Sequence, residues 1–415
     1  MMADVSFWQE FTSRPDFWGF ITIAPVASFV TWIHVWMALK MVFYPIRFIG
    51  VHVGPIPLGW QGIVPRKAGK ISGILVDQSL SKIGSLDEFF REMKPDEMAE
   101  FISESMMDNV EELIDEVMSE RNSTLWENLP QAIKRRIYLH VRKQVPGIMD
   151  SLVTELTFNV ENLVDMREMV VRQMENDREM MVRMFLRVGQ KEIDFIWHIS
   201  AAIGAFFGIV QMGVWLVVPW HWTLVFWAAF WGLLTNWIAI WMVFNPVEPK
   251  RIPIVGWTWH GAFMRRQTEV SEVFAHISTR ELFTIKQIMT EMMFGPKADK
   301  TRKVVKRHVS RMLDSPIVRT AIQMTMGWEE YARLKDTIID KSIEATMGPI
   351  SDPGLNESRA VKVNQLFLER MKLLTPMEFQ NLLRPAFRED EWILIVLGGV
   401  TGALAGWLQL MLGFK

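Results

Sequence analysis

Four stretches of this chain are apolar for longer than a bilayer core demands: 17–43, 195–218, 222–244 and 392–414. A helix crosses the hydrocarbon in roughly 20 residues, so each stretch is predicted to be a transmembrane helix. Only PWH (219–221), a tight reversal, separates the middle two, whereas 44–194 and 245–391 are long enough to form bodies of their own. The tail 1–16 sets Asp4, Glu10 and Asp16 against a single Arg14. A secretory leader needs a basic start and a small-residue cleavage site, so the first stretch is expected to be a retained span.

Composition narrows the class further. Half of the 415 residues are hydrophobic and only 22% are charged. Nineteen tryptophans against three tyrosines gather in and around the apolar stretches, as expected of rings that favour the membrane interface. With no cysteine, disulfides, thiol catalysis and thiolate metal sites are excluded. A net charge of -2 gives no general attraction for nucleic acid.

Both long insertions read as helical. Ser85-Leu-Asp-Glu88 and Thr124-Leu-Trp-Glu127 have the capping-box spacing, hydroxyl first and carboxylate three residues on, that satisfies orphan amides at a helix start. Period-3.6 runs follow at 98–120 and 164–188, and no alternating strand run of useful length occurs. Breaks are expected at Lys94-Pro95, Val145-Pro146-Gly147, Gly295-Pro296 and 351–354, where proline or glycine interrupts the pattern. The helix approaching the second span is expected to continue into it past Gly189.

A repeat organises the whole chain. WMALKMVFYP (36–45) returns as WIAIWMVFNP (237–246), with Trp, Ala, Met, Val, Phe and Pro in register. IPLGWQGIVPRK (56–67) returns as IPIVGWTWHGAFMRR (252–266), and GAFFGIVQM (204–212) as GALAGWLQL (402–410). Each half is then a span, an interfacial turn, a helical insertion and a second span. Two spans per unit give both units one orientation, a parallel duplication unlike the inverted repeats of many transporters. Twelve basic residues near the spans, among them Arg47, Arg187, Lys250 and Arg388, lie on the insertion side, against Arg14 and Lys415 on the other. The positive-inside rule therefore puts both insertions in the cytoplasm.

The pattern Asn-Trp-x-Ala-x-x-Met-x-Phe-x-Pro at 236–246, the Gly-Trp turn after it, the long helices, and Gly-x-x-x-Gly-x-x-Gln at 402–409 resemble the bacterial membrane family known as domain of unknown function 445. The first half departs from that pattern, with Val35 in place of the Asn and Lys40 inside the motif. The resemblance implies a multi-pass protein of the bacterial inner membrane, present as two tandem divergent copies. It implies no activity and no cofactor.

Two sets of residues stand out. Ser200, Gly204 and Gly208, and Gly398, Gly402 and Gly406, form small-residue stripes that let helices approach closely, each followed by an amide, Gln211 or Gln409. Such stripes serve packing within one bundle or a subunit interface. The amides serve as a structural clasp or, with Thr235 and Asn236, as a polar ring along a solute path. The second set, Trp36, Lys40, Pro45, Trp60, Arg66, Lys67, Trp237, Pro246, Trp257, Arg265 and Arg266, is expected to anchor the chain at the headgroup level, the basic pairs beside apolar turns offering a seat for an anionic lipid.

Signs of catalysis are missing. The eight histidines are scattered without His-Glu-x-x-His spacing, and the chain has no Walker loop, Gly-x-Ser-x-Gly elbow or dinucleotide fingerprint. A non-enzymatic membrane protein is expected: first, a homo-oligomeric scaffold or apolar conduit that handles or organises lipid; alternatively, a channel or transporter with a polar path at Gln211, Gln409 and Asn236. The insertions could equally dock another protein.

Overall fold

The computed structural model describes residues 17–53, 56–218, 220–251, 258–314, 316–388 and 391–413; the tail 1–16 and Trp257 lie outside them. The chain divides into two compact units. A span unit is drawn from Met1–Ser79, Met174–Phe274 and Leu374–Lys415, and a helical unit from Leu80–Gln173 and Ala275–Leu373. Among the described residues it is an all-α membrane protein apart from two small hairpins.

Four helices of the span unit, Phe17–Phe43, Arg178–Val217, His221–Phe244 and Glu391–Gly413, are long and apolar enough to cross a membrane. The second runs unbroken through Gly189 from the polar stretch before it. The first lies along the second and the third along the fourth, and contacts between second and third and between first and fourth close the bundle. Trp18, Phe29, Trp36, Phe206, Phe226 and Trp237 stay exposed on its outside. In lipid such a face carries no penalty, so the helices gain by packing small residues inward rather than large ones.

After the first and third spans the chain makes short hairpins instead of plain turns, a departure from the all-helical expectation. Ile49–Val53 pairs antiparallel with Ile56–Trp60, and Lys250–Arg251 with Thr258–Trp259. Ile49, Val51 and Val53 suit a pleated ribbon, but five residues are too few to register as a period. Tyr44-Pro45 and Asn245-Pro246 are both cis. The Gly62 amide donates to the Pro45 carbonyl at 2.9 Å, and that of Gly261 to Pro246 at 3.0 Å. The Trp60 indole donates to the Met41 carbonyl, and the Trp259 indole to that of Asn245, at 3.2 and 3.0 Å. Each indole ties its hairpin back to the span before it, at Met41 in the first case and at Asn245, the counterpart of Tyr44, in the second.

The helical unit combines the middles of both insertions. Phe89 from the first and Phe283 and Phe367 from the second are fully buried, their rings 5.3 to 6.2 Å apart. Ion pairs join the same two segments: Glu97 with Arg359, Glu88 with Arg370, and Arg172 with Glu291. Ser85 and Glu88 make both bonds of the capping box. Thr124 does not cap; it sits inside the helix Val110–Glu127, and the chain turns instead at Asn128 before Pro130. Pro146 likewise lies within the helix Gln131–Phe158 instead of ending it. The breaks at Pro95, Gly295 and Asp352-Pro353 occur as expected.

Candidate functional site

Helical periodicity in the first span turns Thr31, His34, Val35 and Ala38 inward and Ile33, Trp36 and Met37 outward. The second span buries Ser200 and Gln211, the third Thr235 and Asn236, and Gln409 on the fourth is half-buried. Unsatisfied polar groups are costly in hydrocarbon, so these side chains collect where the bundle can shelter them.

Of these, Thr31, His34, Gln211, Thr235 and Gln409 border a chamber of about 60 Å³, together with the stripe glycines Gly204, Gly208, Gly402 and Gly406. A water needs at least about 10–15 Å³, so the chamber has room for water. The Trp231 indole donates to Gln211 Oε1 at 3.2 Å and stacks on Phe207 with ring centres 4.4 Å apart. That bond leaves the amide nitrogen of Gln211 facing elsewhere; it and the nitrogen of Gln409 are buried with no hydrogen-bond partner among the described residues. Ile23 and Leu224 of the chamber wall pack with Phe20 and Trp215 into an apolar cluster that plugs one end.

A second cavity of about 130 Å³ adjoins it. Its wall is apolar, with Val42, Phe43, Ile240, Val243, Phe244 and Phe263, and its polar members are Asn236, Glu192 and Glu391. The His34–Asn236 pair divides the two spaces, since His34 lines the first and Asn236 the second. His34 Nε2 lies 3.3 Å from Asn236 Oδ1, and Asn236 Nδ2 donates to the Leu394 carbonyl at 2.6 Å. Glu192 is buried and accepts from Arg266 at 2.5 Å. Arg266 also holds Glu269 at 2.8 Å, and Lys191 binds the same carboxylate. Bonds from Arg266 and then Lys191 hold the Glu269 carboxyl down at about 2.

The stripes are occupied inside the bundle. A side chain on Gly204 would strike Thr31 and Ala27, one on Gly208 would strike Ala24, and one on Gly402 the carbonyl of Ala228. Gly398 abuts Gly232 and Asn236, Gly406 abuts Ala228 and Leu224, and the Ser200 hydroxyl donates to the Trp197 carbonyl at 2.6 Å. Of the interfacial set, Trp36, Lys40, Trp237, Arg66 and Arg265 are exposed, while Trp60, Lys67, Pro45 and Pro246 are half-buried. Lys40 reaches over the Tyr44 ring. Arg266 turns inward to its two carboxylates, so the basic pair 265–266 does not act as one patch.

His34, Glu192 and Glu391 were not among the residues the sequence singled out for this site. The signal for His34 was present: an ionisable side chain in the middle of a long apolar run is a site candidate by default. No family model, curated protein or solved structure matches this chain.

Proposed function

We propose that this protein is a non-enzymatic channel or transporter that passes a water-sized polar species through the interior of its span bundle. The observation that carries the reading is the convergence of polar side chains from all four spans on one chamber, with two buried amide nitrogens left over. A buried unpaired donor costs about 1–3 kcal/mol, a penalty that water or a hydrogen-bond-accepting solute in the chamber would remove. Closure by the Phe20–Trp215 plug on one side and the His34–Asn236 pair on the other corresponds to an occluded conformation. In proteoliposomes, Gln211→Leu with Gln409→Leu is expected to lower water and proton flux at least tenfold while the protein remains folded. Flux equal to wild type would remove this reading.

A second reading is favoured by the helical unit. Its apolar cavity of about 140 Å³, lined by Met106, Leu113, Met118, Met149, Met312 and Ile338 among others, approaches the size of cavities that stay dry and take small hydrocarbons. That suits lipid handling by a scaffold or apolar conduit, with membrane lipid as partner. Self-association in such a scaffold would use faces other than the glycine stripes. Lipid retained by protein extracted in native membrane discs, and lost on Leu113→Asn, would favour it over the first.

We read the chain as two parallel copies with both insertions in the cytoplasm of a bacterium. The duplication is supported by the matched amide bonds of Gly62 and Gly261 and the hydroxyl caps Ser85 and Thr284, which accept from Glu88 and Gln287, and the orientation by the basic residues on the insertion side.

A further inference from the structure

We propose that His34 is a proton-binding gate, so that passage between the two cavities is linked to the charge on its ring; this deepens the conduit reading above and rests on it. A carbonyl can only accept, so the 2.6 Å bond to the Leu394 carbonyl fixes the amide nitrogen of Asn236 on that side and leaves Oδ1 facing His34 Nε2 at 3.3 Å. On the other side of the ring, Nδ1 lies 3.0 Å from the Val30 carbonyl. Both ring nitrogens therefore face acceptors. A neutral imidazole carries one N–H and an imidazolium two. Only the cation satisfies both contacts, so the proton count of this buried ring decides whether the contact to Asn236 is favourable. Histidine is the side chain whose charge changes most readily across the physiological range, so a contact that only one protonation state satisfies can act as a switch.

The surroundings supply a destination for the proton. On the elements packed against the first span, the titratable side chains nearest this level are Lys191, Glu192, Asp194 and His198 on the second helix, Glu391 on the fourth, and Arg66 on the short helix Ile63–Arg66. Of these, Glu192 and Glu391 line the second cavity, and His34 is the titratable residue lining the first. Both carboxylates have a buried oxygen without a hydrogen-bond partner among the described residues, but the other oxygen of Glu192 is held by Arg266, which keeps that group charged and leaves Glu391 as the acceptor. When the proton passes from Nε2 through water to the Glu391 carboxylate, the ring becomes neutral and the carboxylate becomes a carboxylic acid. Nε2 then presents a lone pair to Asn236 Oδ1. Two acceptors in contact repel, the pair parts, and the cavities join.

The test uses full-length protein in proteoliposomes, with water flux followed by light scattering and proton flux by an entrapped pH dye, together with ring-nitrogen NMR of histidine-labelled protein. Wild-type flux is expected to change at least fivefold between about pH 5 and 8, with the His34 ring titrating over the same interval. His34→Gln should conduct without pH dependence. Asn236→Asp, which sets a carboxylate against the ring, should move the midpoint up by about one unit or more and serves if the first variant misfolds. Flux that keeps its pH profile in His34→Gln, or a ring that stays neutral throughout, would overturn the gate and leave the conduit standing. Absence of wild-type flux at every pH would overturn both.

Discussion

Gly402 faces the carbonyl of Ala228 with no room for a side chain. Overpacking at such a contact costs about 1–3 kcal/mol, so Gly402→Leu should separate the third and fourth spans and lower the thermal midpoint in detergent. Gly213, with open space around it, should accept alanine without loss. At Glu97, bonds from Lys94 and then Arg359 hold the carboxyl down at about 2. Because its folded value is depressed, it contributes stability above the ordinary carboxylate range, and this is lost as pH falls from about 4.5 toward 2. Glu97→Gln should therefore flatten acid unfolding of the helical unit in that window, as circular dichroism would read, while leaving its slope above pH 6 unchanged.

Among the elements, the helical unit depends on the ring cluster that joins both insertions. Removing a buried aromatic side chain costs about 3–5 kcal/mol. Phe367→Ala is thus expected to expose both insertions to protease together, at 80–173 and at 275–373, whereas independent insertions would leave the first protected. The spans and most helix boundaries were legible because apolar length, proline and capping spacing are local signals. Thr124 and Pro146 misled because local signals yield to packing: each sits in a long helix whose partners outweigh a cap or a break. The hairpins escaped notice because they are shorter than any reliable period. Gln211, Gln409 and Asn236 were readable as polar groups in apolar runs. Their meeting with His34, Glu192 and Glu391 was not, because it depends on how the four helices face one another.

At the scale of the whole molecule, orientation and path can be tested without background labelling, since the chain has no cysteine. Single cysteines at the exposed positions Glu120 and Glu369 should react with a membrane-impermeant maleimide only from the cytoplasmic side, and one at Trp220 only from the opposite side. Reaction of all three from one side would discard the topology. The central claim is that the bundle interior is wet and lies on the path. Water-edited NMR of the protein in lipid bilayers tests it most directly. Magnetisation should pass from water to the side-chain amides of Gln211 and Gln409 and to the His34 ring, but not to Phe20 or Trp215, which pack beyond the chamber wall. Dry amides, with transfer confined to residues at the bundle ends, would contradict the account.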